Sequence, residues 1–331
     1  MSLEKICLGA RCRDEKNVLE WVSYHLGLGF DHIIIYDDIS KIPVSDIIYN
    51  TFSKKQCTII RAKKHIDLIG PTFEIILPIL AKMKMDFFLD IDLDEYLYLG
   101  RYNSVHEFVK ELSPVDYIPI QRLNFGDNNV NDNEEGNCIR TFTKCSKTFA
   151  QHPKTMIKIS KIKSKINAHY YDVFEDAISK TVNGNPYEPP TVEMASQQGP
   201  GRNRCSSAGL VPYDKDTMEV CYKELPVCLF HYTIQDKNTF INRKINVNFK
   251  VFSDKCQNRA GNLKYENMSD KIRQRLLDIL NGKVQAETHS EKKIQKMFFS
   301  SKEYNALNNF GIVYKSQCGV TSRGIISESK T

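Results

Sequence analysis

Phe87-Phe88-Leu89-Asp90-Ile91-Asp92-Leu93-Asp94-Glu95-Tyr96-Leu97 is the stretch that decides how this chain reads. An apolar run stops at three carboxylates spaced two apart, with Glu95 directly behind the third. A short apolar run bounded by polar residues predicts a buried strand. In open α/β sheets, ligands bind beyond the carboxyl ends of such strands. An Asp-x-Asp pair at that place offers hard oxygen ligands to a divalent cation. The cation in turn holds phosphate oxygens. Asp90-Ile91-Asp92 and Asp92-Leu93-Asp94 overlap, so two registers of the pair are open. The ordinary meaning of such a cluster is a solvated turn. A calcium loop starting at Asp90 needs Gly at its sixth position and Glu at its twelfth. Glu95 and Arg101 stand there, which argues against it. An aspartyl-phosphate phosphatase finds no Lys or Thr signature in the expected strand context.

Outward from that stretch, apolar runs alternate with helical periodicity. Ile6-Cys7-Leu8 predicts a strand, and Gly9 to Glu15 a polar turn whose Asp14 caps the following helix. That helix carries Val18, Trp21, Val22 and His25 or Leu26 on one face, and Gly27 and Gly29 end it. Ile33 to Tyr36 predicts a buried strand that ends at Asp37-Asp38. Cys57 to Ile60 is a third strand, and Pro71 to about Met83 a helix kinked at Pro78. Ser104-Val105-His106-Glu107 is a capping box opening a helix that buries Val105, Phe108, Val109 and Leu112. Pro119 marks the strand-like Tyr117 to Ile120 as an edge strand or an irregular piece. Alternation over residues 1–120 predicts an α/β fold with a mainly parallel central sheet flanked by helices. Phe125 to Asn129 reads as a turn-rich loop, Met156 to Ile159 as a strand, and residues 183–216 as a long loop. After Val227 to Phe230 the chain turns helical. Ser269 opens a helix closed by Gly282, a further helix runs over 291–304, and 316–331 is a flexible tail.

The 331 residues are 41% apolar and 10% aromatic, enough for a sizeable core. A net charge of +6 is too mild to argue nucleic-acid binding and suits an anionic, phosphate-bearing ligand. The ten cysteines include no C-x-x-C pair and read as reduced thiols. Met1 to Lys5 shows no signal peptide, and no apolar run reaches the ~18 residues of a membrane span. The expected location is cytoplasmic. The Lys-, Asn- and Ile-rich composition hints at an AT-rich genome, viral or protist; a viral origin would place the protein in the host cytoplasm or the virion.

Several segments together resemble the family 92 and related family 2-like glycosyltransferases. Arg13-Asp14-Glu15, with Leu19-Glu20-Trp21 through His25 to Ile33, is similar to their opening. Tyr36-Asp37-Asp38-Ile39-Ser40 and Asp92-Leu93-Asp94-Glu95-Tyr96-Leu97 resemble the next two motifs. Phe125-Gly126, Lys154 to Ile162 with His169, and His231-Tyr232 before Phe240 and Lys244 resemble later ones. Asp14 stands where the family has Asn. The resemblance implies a GT-A, Rossmann-like domain over residues 1–250, with a nucleotide-binding part at 1–120 and an acceptor part at 121–250. Residues 251–331 form a helical C-terminal extension.

The activity implied is an inverting, metal-dependent transfer of a sugar from a UDP-sugar to a glycan, glycoprotein or other hydroxyl acceptor. Asp92 and Asp94, with Asp90 overlapping and His169 completing the shell, are the expected ligands of Mn²⁺ or Mg²⁺. Asp37 and Asp38 are expected at base and ribose, and Arg11, Arg13 and Glu15 near the diphosphate. His231 is expected at the donor phosphate or the acceptor, His25 in the core. Asp127 is the candidate general base, with Asp132, Glu134 and Glu135 as rivals. Two other readings stay open: a catalytically weak GT-A-like module that binds sugar nucleotides or glycans, and a metal-dependent phosphohydrolase or nuclease.

Overall fold

A computed structural model describes residues 3–64, 69–133, 137–146, 149–150, 152–192, 227–241, 270–287 and 291–292. These group into two compact units. The first comprises the described residues of 3–123 and 149–231, the second those of 124–146, 232–241 and 270–292.

The first unit is built on a six-stranded sheet. Its strands are β1 (Ile6–Cys12), β2 (His32–Asp37), β3 (Cys57–Arg61), β4 (Phe87–Asp90), β6 (Tyr117–Ile120) and β8 (Lys154–Lys158). Their order is β3-β2-β1-β4-β8-β6. The first four pair in parallel, and β8 runs antiparallel to both β4 and β6. The expected mainly parallel α/β sheet flanked by helices is therefore present. α1 (Val18–Gly27), α2 (Val44–Ile48) and α3 (Ile69–Lys82) make the connections between the parallel strands. Cys7, Ile34, Phe88, Tyr117 and Ile157 of the sheet pack on Phe73, Ile76 and Leu80 of α3. Pro78 lies inside α3 as expected. β6 with Pro119 is the edge strand the proline predicts.

Gly9 sits opposite Asp90 in the β1–β4 register. A Cβ there would fall 2.4 Å from Phe88 Cζ, so only glycine lets the two strands pair over that ring. β1 and β4 are also where the strand order reverses, and Cys12 and Asp90 end them on the same edge. That edge is the place ligands take in open α/β sheets.

Tyr96 and Leu97 do not extend β4. They belong to β5 (Glu95–Tyr98), which pairs with β11 (Cys228–His231) in a three-stranded sheet of order β5-β11-β7, where β7 is Arg122–Asn124. β9 (Ile162–Lys165) and β10 (Tyr171–Val173) form a hairpin. α4 (Val105–Leu112) opens on the expected capping box: Ser104 Oγ accepts from Glu107 N at 3.1 Å. Glu107 reaches back to Asn103 N at 2.8 Å, one residue earlier than the usual pattern.

Asp14 does not cap α1; Asn17 holds that position. Asp14 takes a left-handed φ of 54°. Its carboxylate accepts from Lys41 N at 2.7 Å and its N–H donates to Ser40 Oγ. It thus ties the loop after β1 to the loop after β2.

In the second unit, α5 is Cys138–Thr141, α6 Lys237–Phe240 and α7 Asp270–Leu280. Ile234, Phe240, Ile241, Leu276 and Leu280 share a small core. Gly282, at φ 73°, follows α7 as expected. Ser269, Glu134, Glu135, residues 193–216, most of the 291–304 segment and the 316–331 tail lie outside the described residues.

Candidate active site

The acidic segment leaves β4 at the sheet edge where the strand order reverses, and each of its carboxylates meets a base. Asp90 is bonded by Lys165, whose ammonium lies 5.3 and 5.4 Å from the ring centroids of Phe73 and Tyr171. Asp92 Oδ2 accepts from Lys154 Nζ at 3.0 Å. Asp94 Oδ1 lies 3.5 Å from His231 Nε2, because His231 stands opposite Glu95 in the β5–β11 register. Glu95 is fully enclosed and takes Arg122 Nη1 at 3.2 Å, Lys154 Nζ at 3.6 Å and Asp92 N at 2.9 Å.

Exposure separates these groups sharply. The side chain of Asp92 is 58% exposed, that of Lys154 4% and that of Lys165 2%. Asp92 is therefore the carboxylate the segment presents to solvent. Desolvation within the site and the neighbouring Asp94 raise its pKa; the ammonium of Lys154 and, further off, His231 lower it by more, so it lies below the ordinary range. Burial alone would lower the Lys154 ammonium, but Asp92, Glu95 and Asp90 reverse that and raise it.

His169 precedes β10, with its Nδ1 3.0 Å from the carbonyl of Pro153. A carbonyl can only accept, so Nδ1 carries the hydrogen and a neutral ring keeps a lone pair on Nε2. Burial, then the cations Lys154 and Arg122, push this imidazole down to about 3, which keeps it neutral. The ring stacks on His152 at 5.2 Å, and Arg122 Nε donates to the His152 carbonyl at 2.8 Å.

The residues expected at the nucleotide stand at the ends of β1 and β2. Asp37 is fully buried and accepts from Ser40 N, Val44 N and Arg61 Nη1. It shapes its own loop. Asp38, also fully buried, takes Arg11 Nη2 at 2.6 Å, with Arg13 Nη1 at 3.9 Å. The half-exposed guanidinium groups of Arg13 and Arg61 thus face outward over enclosed carboxylates. Glu15 lies in the turn after β1, half-buried.

His25 is a core residue, as its place on the apolar face predicts. Its Nδ1 donates to Trp21 O at 2.8 Å and its Nε2 accepts from Leu97 N at 3.2 Å. Asp127 belongs to the second unit, between β7 and α5, and is fully buried. Asp132, in the same unit, is exposed and takes Asn238 Nδ2 at 3.0 Å.

Among the described residues, no group of three or more His, Cys, Asp or Glu side chains converges as a metal ion requires. Asp90, Asp92, Asp94 and His169 do not come together as one ligand set; Asp90 is turned to Lys165 and Asp94 to His231. Magnesium-type ions that bind with a nucleotide need only one or two carboxylates, with phosphates and waters supplying the rest. Of the four, Asp92 is the group exposed to solvent. Lys154, Arg122 and His152 carry no expected role from the sequence. The signal available was small: Lys154 opens one of the segments that resemble the glycosyltransferases, and Arg122 follows Pro119 and Gln121 with no motif of its own.

No protein-family model matches this chain, and no curated protein sequence matches it. Among solved structures, it is similar to S. aureus TarS 1–349 in complex with UDP-GlcNAc, at 15% identity and a TM-score of 0.34 over 47% of this chain. The chain spans 46% of that structure's length. It is also similar to HddC from Yersinia pseudotuberculosis, at 11% identity, a TM-score of 0.30, and 47% and 77% of the two chains. A cytidylyltransferase from Leptospira borgpetersenii matches at 9% identity, a TM-score of 0.26, and 48% and 62%. Likenesses this distant assign no activity. No helix among the described residues is long and apolar enough to cross a membrane.

Proposed function

We propose that this protein transfers a glycosyl group from a nucleotide-sugar, a UDP-sugar, to a hydroxyl of a glycan or glycoprotein. One observation carries the reading. The segment Asp90 to Glu95 leaves β4 beside the end of β1, where the strand order reverses and where Arg11 also lies. A diphosphate at that edge has guanidinium groups on one side and the exposed carboxylate of Asp92 on the other. Asp92 and Asp94 would hold a Mn²⁺ or Mg²⁺ ion, with the neutral Nε2 of His169 as a nitrogen ligand of suitable chemistry. Such an ion supplies neutralisation of the departing diphosphate. Arg11 and Arg13 bind phosphate oxygens, Asp38 fixes Arg11 for that task, Asp37 fixes the loop beside the base, and Glu15 steadies the turn that carries Arg13. His231, 3.5 Å from Asp94, sets that carboxylate's orientation at the donor phosphate. Asp127 is the proposed proton acceptor of an inverting displacement.

Titration calorimetry with UDP and GDP, with and without Mn²⁺, and a donor-hydrolysis assay over a panel of sugar nucleotides test the reading. UDP binding and hydrolysis of one UDP-sugar are expected. Asp92→Ala should lower turnover by about 10²-fold or more, as loss of transition-state charge stabilisation does. Asp127→Asn should lower turnover while leaving UDP affinity within about twofold, since a base acts after binding. Binding of UDP without any turnover would favour the weak-enzyme binding module instead. Cleavage of phosphate esters with no nucleotide preference would favour the phosphohydrolase.

A further inference from the structure

Lys154 is an enclosed cation, in contact with the exposed Asp92, to which the reading above gives no task. β8 runs antiparallel, so its first residue stands at the edge where β4 and β6 end, opposite Ile120. Its ammonium touches Asp92 and Glu95 at 3.0 and 3.6 Å. Arg122 backs Glu95 at 3.2 Å, and Lys165 holds Asp90. Behind the four carboxylates Asp90, Asp92, Asp94 and Glu95 thus stand three cations, each 13% exposed or less. An apolar residue would begin a strand at lower desolvation cost than a buried ammonium. Four uncompensated carboxylates would repel a diphosphate. Each unit charge within about 8 Å of it is worth on the order of tenfold in affinity at the effective dielectric of a protein surface.

We propose that Lys154 is a positioning cation for a nucleoside diphosphate: its fixed charge under Asp92 makes the acidic segment receptive to the anion before any divalent metal arrives. The metal then adds to this charge and does not create it. The inference rests on the nucleotide-sugar reading. Two signatures follow from it. UDP binds the protein in the absence of divalent metal. Deleting the charge at position 154 harms binding most when no metal is present, because a divalent cation on Asp92 replaces part of what was lost.

The test is titration of the full chain with UDP in EDTA and in saturating Mn²⁺, for wild type, Lys154→Gln and Lys154→Arg. Glutamine keeps donors for Asp92 and Glu95 and removes the charge; arginine keeps the charge. Lys154→Gln is expected to lose on the order of tenfold in EDTA and a small fraction of that in Mn²⁺, and Lys154→Arg to stay near wild type in both. Thermal melts check that each variant folds, and Lys154→Met repeats the comparison if glutamine does not. A merely structural lysine would cost the same in both media. Equal losses, no loss, or wild-type binding that vanishes in EDTA would overturn the inference alone. Wild type that binds UDP in neither medium would overturn the nucleotide-sugar reading beneath it.

Discussion

Glu95 is the residue on which the acidic segment turns, although its place in the sequence marks it only as the carboxylate after the last Asp. One oxygen takes Arg122, the other takes Asp92 N, and the backbone carbonyl accepts from Trp21 Nε1 at 2.7 Å. Removing one partner of an enclosed ion pair strands the other. Glu95→Ala is therefore expected to cost about 3–5 kcal/mol, read by urea unfolding. Glu95→Gln keeps an acceptor for Asp92 N and should cost less. A loss under about 1 kcal/mol for the alanine would mean that Lys154 and Arg122 reach water once freed. Gly9→Ala tests packing at the same edge: a methyl 2.4 Å from Phe88 Cζ must push the ring, at about 1–3 kcal/mol. The carboxylates were legible in the sequence because strand end and acid are neighbours in it. Their bases were not, since Lys154 lies 62 positions from Asp92, and no local pattern reports a partner that far away.

At the scale of elements, α1 and β5 explain why two separate motifs accompany each other. β5 is an edge strand, with β11 on one side only. An edge leaves backbone groups unpaired, and α1 supplies the missing partners through side chains. Trp21 Nε1 bonds Glu95 O, Tyr24 Oη bonds Leu97 O at 2.8 Å, and His25 Nε2 takes Leu97 N. The aromatic face of the helix thus fixes the strand that carries Glu95. Trp21→Phe keeps most of the ring and drops the indole donor. It is expected to cost about 1–3 kcal/mol by leaving a buried carbonyl unsatisfied, and to weaken UDP binding by shifting Glu95 under Asp92. Unchanged affinity would show that β5 holds its place without the bond. The helix face was legible from its period, and β1, β2 and β4 from their apolar runs. β5 was not, because Tyr96 and Leu97 continue an apolar alternation and nothing in the sequence marks a new sheet. The cap of α1 was misread because Asp14 is a good capping residue by chemistry, yet its left-handed backbone faces the β2 loop instead.

For the molecule as a whole, the two units are assembled from non-contiguous pieces, and sequence periodicity, which is local, does not report which pieces join. The enclosed histidines, in contrast, give the whole fold a pH dependence that can be worked out. His25 is fully buried, and desolvation pushes its pKa from 6.5 down to about 3, against its hydrogen bond to Trp21. Burial lowers His32 and His152 as well. A histidine of lowered folded-state pKa is neutral in the fold and protonated in the unfolded chain once pH drops below about 6.5. The unfolded state then binds more protons, so stability falls with falling pH, by about 1.4 kcal/mol per pH unit for each fully neutral histidine. The lowered carboxylates Asp92 and Asp176 lose their contribution only below their ordinary value of 3.8, so they do not act in the same window. Between pH 6.5 and 4.5 these lowered histidines steepen the slope. Urea unfolding across that window should show wild type losing stability steadily. His25→Gln keeps a donor and an acceptor in place of the ring; it should start lower at pH 8 and lose one proton's worth of slope. Parallel slopes for the two proteins would mean that His25 takes up its proton inside the fold, and that the α1–β5 packing opens to admit it.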